Sequence, residues 1–413
     1  MPLCCRHKFE SLISYPFILS AGVKAAILEI DAARQMREGT ESEMQQAVAT
    51  GSRYVIPYLV IRVRRSHLVE DAINQFAAQD DGSFDLKKPL KVVFDGEDGI
   101  DEGGVRKEFY QIVTKQLLDP GFGMFKHYEE SRCLWFNSDS LESSQGFELI
   151  GTLVGVAIYN SVIIDLNMPR VVYKKMKGKE APTLEDLASL QPSLAAGLQK
   201  LLDHTESSPG EIESVYDLRF EISYEVFGEM RTVELLPGGG DIRVSASNRE
   251  MYVDLYVEYL LDKSIESQFN AFAKGFHKVC GGDALDLFEA SELELLICGN
   301  PMLDFAELEK GTVYDDGYDR EARVIMDLWA VLHQFDEADK KKFLKFLTGS
   351  DRSPIDGLSK LRFVISRNGD EDTRLPSAHT CFNHMLLPEY SSREVLEKNL
   401  RFAISESEGF ALR

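Results

Sequence analysis

The segment from Arg374 to Tyr390 places one cysteine between two prolines, and this limits what the surrounding chain can form. Pro376 and Pro388 fix the backbone angle φ and remove two backbone donors. The polar residues Ser377, His379, Thr380 and Asn383 lie between them, so we expect a surface turn or loop. A thiol at Cys381 in such a segment stays reachable, and the imidazole of His379 can stabilise its thiolate.

Three other cysteines show the pattern of thiols that only fill space in a core. Cys298 ends an apolar run, Cys133 precedes Leu-Trp-Phe, and Cys280 lies at the end of a predicted helix. Free cysteine in such surroundings is usually buried and inert. We therefore expect these three thiols to be structural, in contrast to Cys381.

The two remaining cysteines, Cys4 and Cys5, raise the question of a metal or a lipid. No C-x-x-C pair occurs, and these two lack the second pair of ligands that a zinc site needs. Phosphate-cradling and H-E-x-x-H motifs are missing as well, so we expect neither a metal nor a cofactor. A lipid on Cys4 or Cys5 stays open, although no myristoylation glycine follows Met1.

Charge and hydropathy restrict the partners and the setting. The formal net charge of −22 argues against nucleic-acid binding, because only the short stretch 62–65 is basic. No apolar run approaches the roughly twenty residues of a membrane span. The N-terminus lacks the pattern of a secretory signal, so we expect reduced thiols and a cytoplasmic location, with the nucleus left open.

Periodicity predicts an α+β chain whose N-terminal part is mainly helical with small sheets. Residues 1–50 are expected to form a weakly anchored helix and a linker. Gly151 and Gly155, four residues apart in an apolar helix, predict close packing against another element. Further elements are predicted as strands at 90–94, 218–222 and 232–236, helices at 105–117 and 147–159, a mobile loop at 238–240, and an amphipathic region at 248–279.

A short polar stretch at 311–318 predicts a hinge between two parts of the chain. Beyond it we expect two helices at 320–334 and 339–347, a strand at 361–365, the cysteine segment and a last helix. Ser391 and Glu394 have the spacing of a capping box at the start of that helix. About ninety-five residues would thus form a compact α/β lobe that carries the nucleophile.

The sequence also bears on a calcium site and on a cysteine protease. The acidic turn 95–104 resembles a calcium loop, but Gly99 and Arg106 stand where ligands are required. A cysteine protease would need His277 or His333 as its base and lacks a signature around Cys381. A thiol hydrolase therefore stays as a rival, and calcium binding does not.

Six motifs in order resemble those of the HECT-type ubiquitin ligases, in particular the E6-AP-like subgroup, over about residues 50–413. They are Phe94-x-Gly-Glu-x-Gly-Ile-Asp-Glu-Gly-Gly-Val-x-Lys-Glu-Phe109, Trp135-Phe136-Asn137, the run from Gly151 to Asn160, Glu294-Leu-Leu-Ile-Cys-Gly299, Tyr314-Asp-Asp-Gly-Tyr318, and Leu375-Pro-x-x-His379-Thr380-Cys381-Phe382-Asn383 with Leu387-Pro-x-Tyr390.

The resemblance implies a bilobal fold. It comprises an N-terminal helix and linker (1–50), a large N-lobe (51–312) that docks a ubiquitin-charged conjugating enzyme, a hinge (313–318) and a small C-lobe (319–413). Ubiquitin would pass onto Cys381 as a thioester and then to a lysine of a protein substrate that the sequence does not identify. An inactive adaptor that binds conjugating enzymes, or a thiol hydrolase acting on ubiquitin conjugates, is the alternative.

The resemblance also assigns supporting residues. His379, Thr380 and Asn383 are candidates to orient or stabilise the reacting groups, and they could equally cap the turn. Phe410 resembles an aromatic needed for ubiquitin transfer, whereas the ending after it, residues 411–413, departs from that of close relatives. The partner groove of the N-lobe is represented by Leu194, Leu198, Tyr252 and Tyr256, for which burial in the core is the other interpretation.

Overall fold

The computed structural model describes residues 15–50, 57–78, 84–97, 104–178, 180–280, 283–380 and 382–410. Most of this chain is helical, and short 3-10 turns connect several elements. The α-helices are α1 (Ala21–Thr50), α2 (Leu68–Ala77), α3 (Gly104–Leu118), α4 (Ser144–Tyr159), α5 (Val171–Lys177), α6 (Leu184–Leu190), α7 (Pro192–Asp203), α8 (Glu211–Tyr216), α9 (Arg249–Leu261), α10 (Glu266–Val279), α11 (Asp283–Asp286), α12 (Ala290–Cys298), α13 (Phe305–Gly311), α14 (Arg323–Leu332), α15 (Glu337–Thr348) and α16 (Arg393–Phe410).

The described strands form small sheets. In chain order they are β1 (Leu59–Val63), β2 (Leu90–Phe94), β3 (Phe125–Tyr128), β4 (Cys133–Phe136), β5 (Glu221–Val226), β6 (Glu229–Glu234), β7 (Val313–Asp315), β8 (Val364–Arg367), β9 (Ser377–His379) and β10 (His384–Leu387). Strands β1 and β2 pair in parallel, while β3–β4 and β5–β6 are antiparallel pairs. The fourth sheet has the order β7-β8-β10-β9, with only β9 antiparallel. The predicted mixed α+β class is confirmed.

The chain folds into two compact units. The first comprises residues 1–115, 152–165 and 277–413, and the second comprises 116–151 and 166–276. These ranges differ from the lobes that the sequence predicts, so the division at 313–318 stays a prediction.

The C-terminal part of the first unit has its own hydrophobic core under the four-stranded sheet. Helices α14, α15 and α16 supply one side, and the inward residues of the sheet supply the other. Met385 and Leu387 alternate with half-buried residues along β10, as expected for a strand with one covered face. Large side chains buried in this core include Trp329, Phe343, Phe363 and Tyr390.

Helix α1 is anchored more firmly than its composition indicates. Lys24 is 1 % exposed, and its ammonium donates to Glu292 at 2.6 Å. A Cβ at Gly22 would lie 1.5 Å from Asp356 Oδ1, so the helix approaches that loop closely. The predicted linker before Gly51 is wrong, because the helix continues through Thr50. Residues 1–14, with Cys4 and Cys5, lie outside the described residues.

The second unit is built around an aromatic cluster. Phe136 contacts Phe125, Phe147, Phe269 and Phe272 with ring centroids 5.3–6.2 Å apart. Such pairs add to the free energy of burial by about 0.5–1.5 kcal/mol each. This cluster fixes α4 and α10 against the β3–β4 pair within the unit.

The predicted close packing at Gly151 is confirmed within the second unit. A Cβ on this residue would lie 1.8 Å from the carbonyl oxygen of Phe272, so no larger side chain fits. The small residue thus allows α4 to approach the backbone of α10 closely.

Two predictions for the second unit are wrong. The strands predicted at 218–222 and 232–236 lie instead at Glu221–Val226 and Glu229–Glu234, with a turn at Phe227-Gly228, where both φ angles are positive. The glycines at 238–240 do not form a loose loop. Gly239 is buried in a 3-10 turn, where a Cβ would lie 2.3 Å from the Phe220 carbonyl oxygen.

Residues 313–315, within the stretch predicted to be a hinge, form the edge strand β7. Two local predictions for the C-terminal part need correction. Strand β8 begins at Val364 rather than Leu361. Helix α16 is capped by Ser392, whose Oγ accepts from the Val395 N–H at 3.4 Å. Ser391 instead donates its hydroxyl to Asp372, so the predicted capping box does not form.

No helix among the described residues combines the length and the apolar character required to cross a bilayer.

Candidate active site

The two strands that flank Cys381 form a short hairpin. His379 at the end of β9 stands opposite His384 at the start of β10, and the Phe382 N–H donates to the His379 carbonyl at 3.0 Å. The chain therefore reverses direction between these residues, which we call the cysteine turn (residues 379–384). The sequence predicts a surface turn or loop from Arg374 to Tyr390; the structure has a turn here, and the segments on either side of it form the paired strands β9 and β10. Cys381 itself lies outside the described residues.

The end of the cysteine turn is fixed by its backbone. Asn383 has a left-handed φ of 49°, a conformation that asparagine tolerates better than most residues. Its carbonyl accepts from the Val364 N–H at 3.0 Å, which joins the turn to β8. This geometry is that of a residue that shapes the turn, whereas a role of Asn383 in supporting the reacting groups stays a prediction.

Buried hydrogen bonds hold the whole proline-bracketed segment together. The Tyr390 hydroxyl donates to the Arg374 carbonyl at 2.6 Å, so the two ends of the segment meet. Burial raises the pKa of Tyr390 to about 12, and its hydroxyl remains a donor at neutral pH. The Tyr318 hydroxyl adds a bond of 3.0 Å to the Leu387 carbonyl. The scaffold of the cysteine turn is therefore well defined.

The side chains next to Cys381 differ in exposure. Phe382 is 53 % exposed and His379 is exposed as well, whereas Thr380 and Asn383 are half-buried. A large apolar side chain open to solvent beside a candidate nucleophile is a natural contact for a protein partner. The neighbours of Cys381 on both sides are thus accessible.

Two imidazoles flank the turn. The ring centroids of His379 and His384 are 6.0 Å apart. His384 Nε2 lies 2.7 Å from the hydroxyl oxygen of Ser366, a buried residue of β8. The hydroxyl orients His384, while His379 keeps an exposed ring.

Lys107, on α3, is distant from the cysteine turn in sequence but contacts it in the fold. Its ammonium donates to the Thr380 carbonyl at 3.1 Å and to Asn383 Oδ1 at 3.4 Å. These two oxygens belong to residues on either side of Cys381. Sequence reasoning missed Lys107 as a site residue; its only signal was its place in the motif that ends at Phe109.

The other described cysteines are placed as predicted, with one difference. Cys280 and Cys298 are each 4 % exposed, and Cys133 is half-buried. Burial raises the pKa of Cys280, whose Sγ lies 3.6 Å from the Gly155 carbonyl oxygen. The two buried thiols, those of Cys280 and Cys298, are therefore poor nucleophiles.

The residues predicted to bind a conjugating enzyme lie on two helices of the second unit. Leu194 and Leu198 are on α7, and Tyr252 and Tyr256 are on α9 with ring centroids 5.7 Å apart. Leu194 and Tyr256 are half-exposed, but Leu198 and Tyr252 are 6 % and 2 % exposed. Burial, the other interpretation given for these residues, holds for Leu198 and for Tyr252, whose ring packs on Phe220. Partner binding by the four residues stays a prediction.

Two arginines of the short basic stretch, Arg64 and Arg65, pair with carboxylates. Arg64 pairs with Asp71 at 2.6 Å, and Arg65 pairs with both Glu97 and Glu108. The Arg65 guanidinium also lies 4.1 Å from the centre of the Phe94 ring.

Among the described residues no group of three His, Cys, Asp or Glu side chains is arranged to hold a metal ion. Most of the acidic turn 95–104 lies outside the described part.

Comparison with known proteins identifies relatives over nearly the whole chain. The human protein named "Probable E3 ubiquitin-protein ligase HERC4" is 43% identical over 406 residues, covering 97% of this chain and 38% of the relative. The human "Probable E3 ubiquitin-protein ligase HECTD2" is 39% identical over 421 residues, with 98% and 53% covered. "Probable E3 ubiquitin-protein ligase mug30" of Schizosaccharomyces pombe is 38% identical over 428 residues, with 97% and 52% covered. This chain thus spans about two fifths to one half of the length of these relatives.

The family profile described as "HECT-domain (ubiquitin-transferase)" matches residues 111–413, which include the cysteine turn and the whole four-stranded sheet. This match and the relatives agree with the motifs around Cys381. The chain therefore belongs to the HECT-domain family, whose fold is bilobal.

Proposed function

We propose that this chain is an E3 ubiquitin-protein ligase that carries ubiquitin as a thioester on Cys381 and transfers it to a lysine of a protein substrate. Membership of the HECT-domain family is the observation that carries this proposal. The hairpin geometry supports it, because the described neighbours of Cys381 are accessible while Cys280 and Cys298 are buried.

The first step exchanges one thioester for another. The Cys381 thiolate attacks the carbonyl carbon of the ubiquitin C-terminus, a new C–S bond forms, and the cysteine thiolate of the conjugating enzyme leaves. Because the bond made and the bond broken are alike, little driving force is required. Positioning of the turn therefore matters more than a strong base.

The second step forms an amide. A deprotonated substrate lysine attacks the thioester carbon and a C–N bond forms. The C–S bond then breaks, the Cys381 thiolate leaves, and the former amine nitrogen gives up one proton to solvent. Negative charge develops on the carbonyl oxygen, so donors near the turn accelerate the step. His379, Thr380 and Asn383 are the proposed supporting residues. Phe410, the last residue of α16, is the proposed aromatic contact for ubiquitin transfer.

The conjugating enzyme is proposed to dock on α7 and α9 of the second unit. Leu194 and Tyr256 offer half-exposed apolar surface, which suits the core of a protein interface. Leu198 and Tyr252 are buried, and the Tyr252 ring packs on Phe220 and on Tyr256. Substitution of the first pair would therefore affect binding, and substitution of the second pair would affect binding through the fold.

The finer assignments are part of the same proposal. The chain is assigned to the E6-AP-like subgroup on the motifs quoted above. Its lobes are divided at 313–318, so that Cys381 can move between donor and substrate. A cytoplasmic location, extending to the nucleus, and a role in proteasomal degradation of substrates fit this activity.

One gel experiment tests the activity. The chain is mixed with activating enzyme, a panel of conjugating enzymes, ubiquitin and ATP, and the products are separated with and without a reducing agent. We expect an adduct one ubiquitin heavier that is lost on reduction and does not form with Cys381→Ala. Cys133→Ala serves as the matched control and should form the adduct.

The other outcomes distinguish the rival functions. Cleavage of ubiquitin chains without an adduct would indicate a thiol hydrolase. Binding of a conjugating enzyme with no adduct under any condition would indicate an adaptor. An adduct that persists in Cys381→Ala would overturn the assignment of the nucleophile.

A further inference from the structure

The contact between Lys107 and the cysteine turn joins two segments 273 residues apart in sequence. The lysine ammonium lies 3.1 Å from the Thr380 carbonyl oxygen and 3.4 Å from Asn383 Oδ1. Thr380 precedes Cys381 directly and Asn383 follows it by two positions. The Lys107 ammonium thus contacts both sides of the cysteine turn.

A second contact places the same helix face against the C-terminal part of the first unit. Gln111, one helical turn beyond Lys107, donates from Nε2 to the Gly349 carbonyl at 3.2 Å. Gly349 ends α15 with a φ of 84°, and a Cβ there would lie 2.0 Å from Gln111 Nε2. Residues four apart lie on one face of a helix. The approach of α3 to this region therefore rests on two side chains rather than one.

The charge of Lys107 matters because the turn holds a thiol that must ionise. A lysine beside a cysteine stabilises the thiolate and raises the fraction that can attack. The same cation would stabilise the oxyanion that forms when the thioester is attacked. Hydrogen bonds to two oxygens hold the ammonium at the turn.

We propose that Lys107 is a positioning residue of the transfer reaction: it ties Thr380 to Asn383 and supplies positive charge to the turn whose sequence contains Cys381. The inference rests on the proposed function, since it concerns the same thiol. It adds a residue from the N-terminal part of the first unit to a site otherwise built from the cysteine turn.

Other charged groups near the turn must be separated from Lys107. His379 of β9 and His384 of β10 face each other across the hairpin, with ring centroids 6.0 Å apart. Next to Lys107 on α3, Glu108 is engaged by Arg65 at 2.8 Å. Substitution of Lys107 leaves both imidazoles in place, so they contribute equally to the profiles of the unmodified chain and of each Lys107 variant.

The test measures the reactivity of Cys381 in the absence of ubiquitin. The intact chain is alkylated with iodoacetamide over a range of pH, and mass spectrometry follows the peptide that contains Cys381. In Lys107→Met we expect the midpoint of the pH profile to rise by about half a unit or more, which lowers the rate at neutral pH about threefold. Lys107→Arg keeps the charge and should restore most of the rate.

Two further variants make the result specific. Lys107→Gln keeps a donor for the turn without the charge, so its pH profile should follow that of Lys107→Met. Lys115→Met removes an exposed lysine two turns along the same helix and should behave as the unmodified chain. Circular dichroism and thermal unfolding of each variant report whether the fold is intact.

The proposal is overturned if folded Lys107→Met or Lys107→Gln shows the alkylation profile of the unmodified chain. It is also overturned if Lys115→Met shifts the profile equally, because the effect would then be one of general charge. Formation of the ubiquitin adduct by the unmodified chain is scored separately. Failure of that adduct refutes the proposed function, whereas the alkylation profile decides the role of Lys107.

Discussion

The surroundings of Cys280 and of the cysteine turn show how one residue type is given opposite properties. Cys280 follows α10, is 4 % exposed, and has its pKa raised by burial. The described residues around Cys381 include an exposed imidazole, an exposed phenyl ring and the ammonium of Lys107. Apolar burial suppresses ionisation of a thiol, and nearby cations with access to solvent promote it. The comparison teaches that the surroundings, and not the cysteine, select the nucleophile.

The largest expected difference is in chemical reactivity. In the folded chain we expect iodoacetamide to modify Cys381 at least about a hundredfold faster than Cys280, because Cys280 is reached only through local opening. A time course read by mass spectrometry of the two peptides measures the ratio. In concentrated urea the two rates should converge. Equal rates in the folded chain would break the comparison.

A matched pair of substitutions should separate stability from activity. Cys280→Ser buries a hydroxyl whose nearest acceptor, the Gly155 carbonyl, is 3.6 Å from the present sulfur, so we expect a loss of about 1–3 kcal/mol in the free energy of unfolding. Cys381→Ser should change this free energy by less than about 0.5 kcal/mol. Urea denaturation curves give both values.

The same pair should behave in the opposite way in the ubiquitin assay. Cys280→Ser should form the reducible adduct as the unmodified chain does, and Cys381→Ser should not. Loss of the adduct in a folded Cys280→Ser variant would show that the buried thiol is more than structural.

The smallest effect is expected in alkaline solution. The folded pKa of Cys280 is raised by burial, so its neutral thiol stabilises the fold fully below the unfolded pKa of about 8.5. Stability falls as the pH rises above that value, by up to about 1.4 kcal/mol per pH unit, because only the unfolded thiol ionises. Buried tyrosines act in the same direction, so the measurement is the difference between Cys280→Ala and the unmodified chain at each pH. A difference independent of pH would contradict the prediction.

Elements with a strong local pattern were predicted well from the sequence. The apolar run at 90–94 forms β2, and the apolar periodicity at 105–117 forms α3. The prediction of close packing at Gly151 was also correct, because a small residue in an apolar helix usually marks the close approach of another element. In each case the information lies within a few neighbouring residues.

The failures come from interactions between distant residues. Strand β7 has a polar sequence, and it is a strand because β8 pairs with it. Ser391 matches the capping pattern, yet Asp372 takes its hydroxyl and Ser392 caps the helix. The motif around Cys381 located the candidate site, but the contact of Lys107 with Thr380 depends on packing that local spacing does not contain.

The sheet order β7-β8-β10-β9 holds the two ends of the cysteine turn with unequal strength. Strand β10 has a hydrogen-bonded neighbour on each side, while the three-residue β9 has β10 alone. A force on the turn, such as the pull of a tethered protein, would release β9 first and leave β10 in the sheet. Strand β9, which precedes Cys381, would therefore separate from the sheet first, whereas strand β10, which follows the turn, would stay fixed.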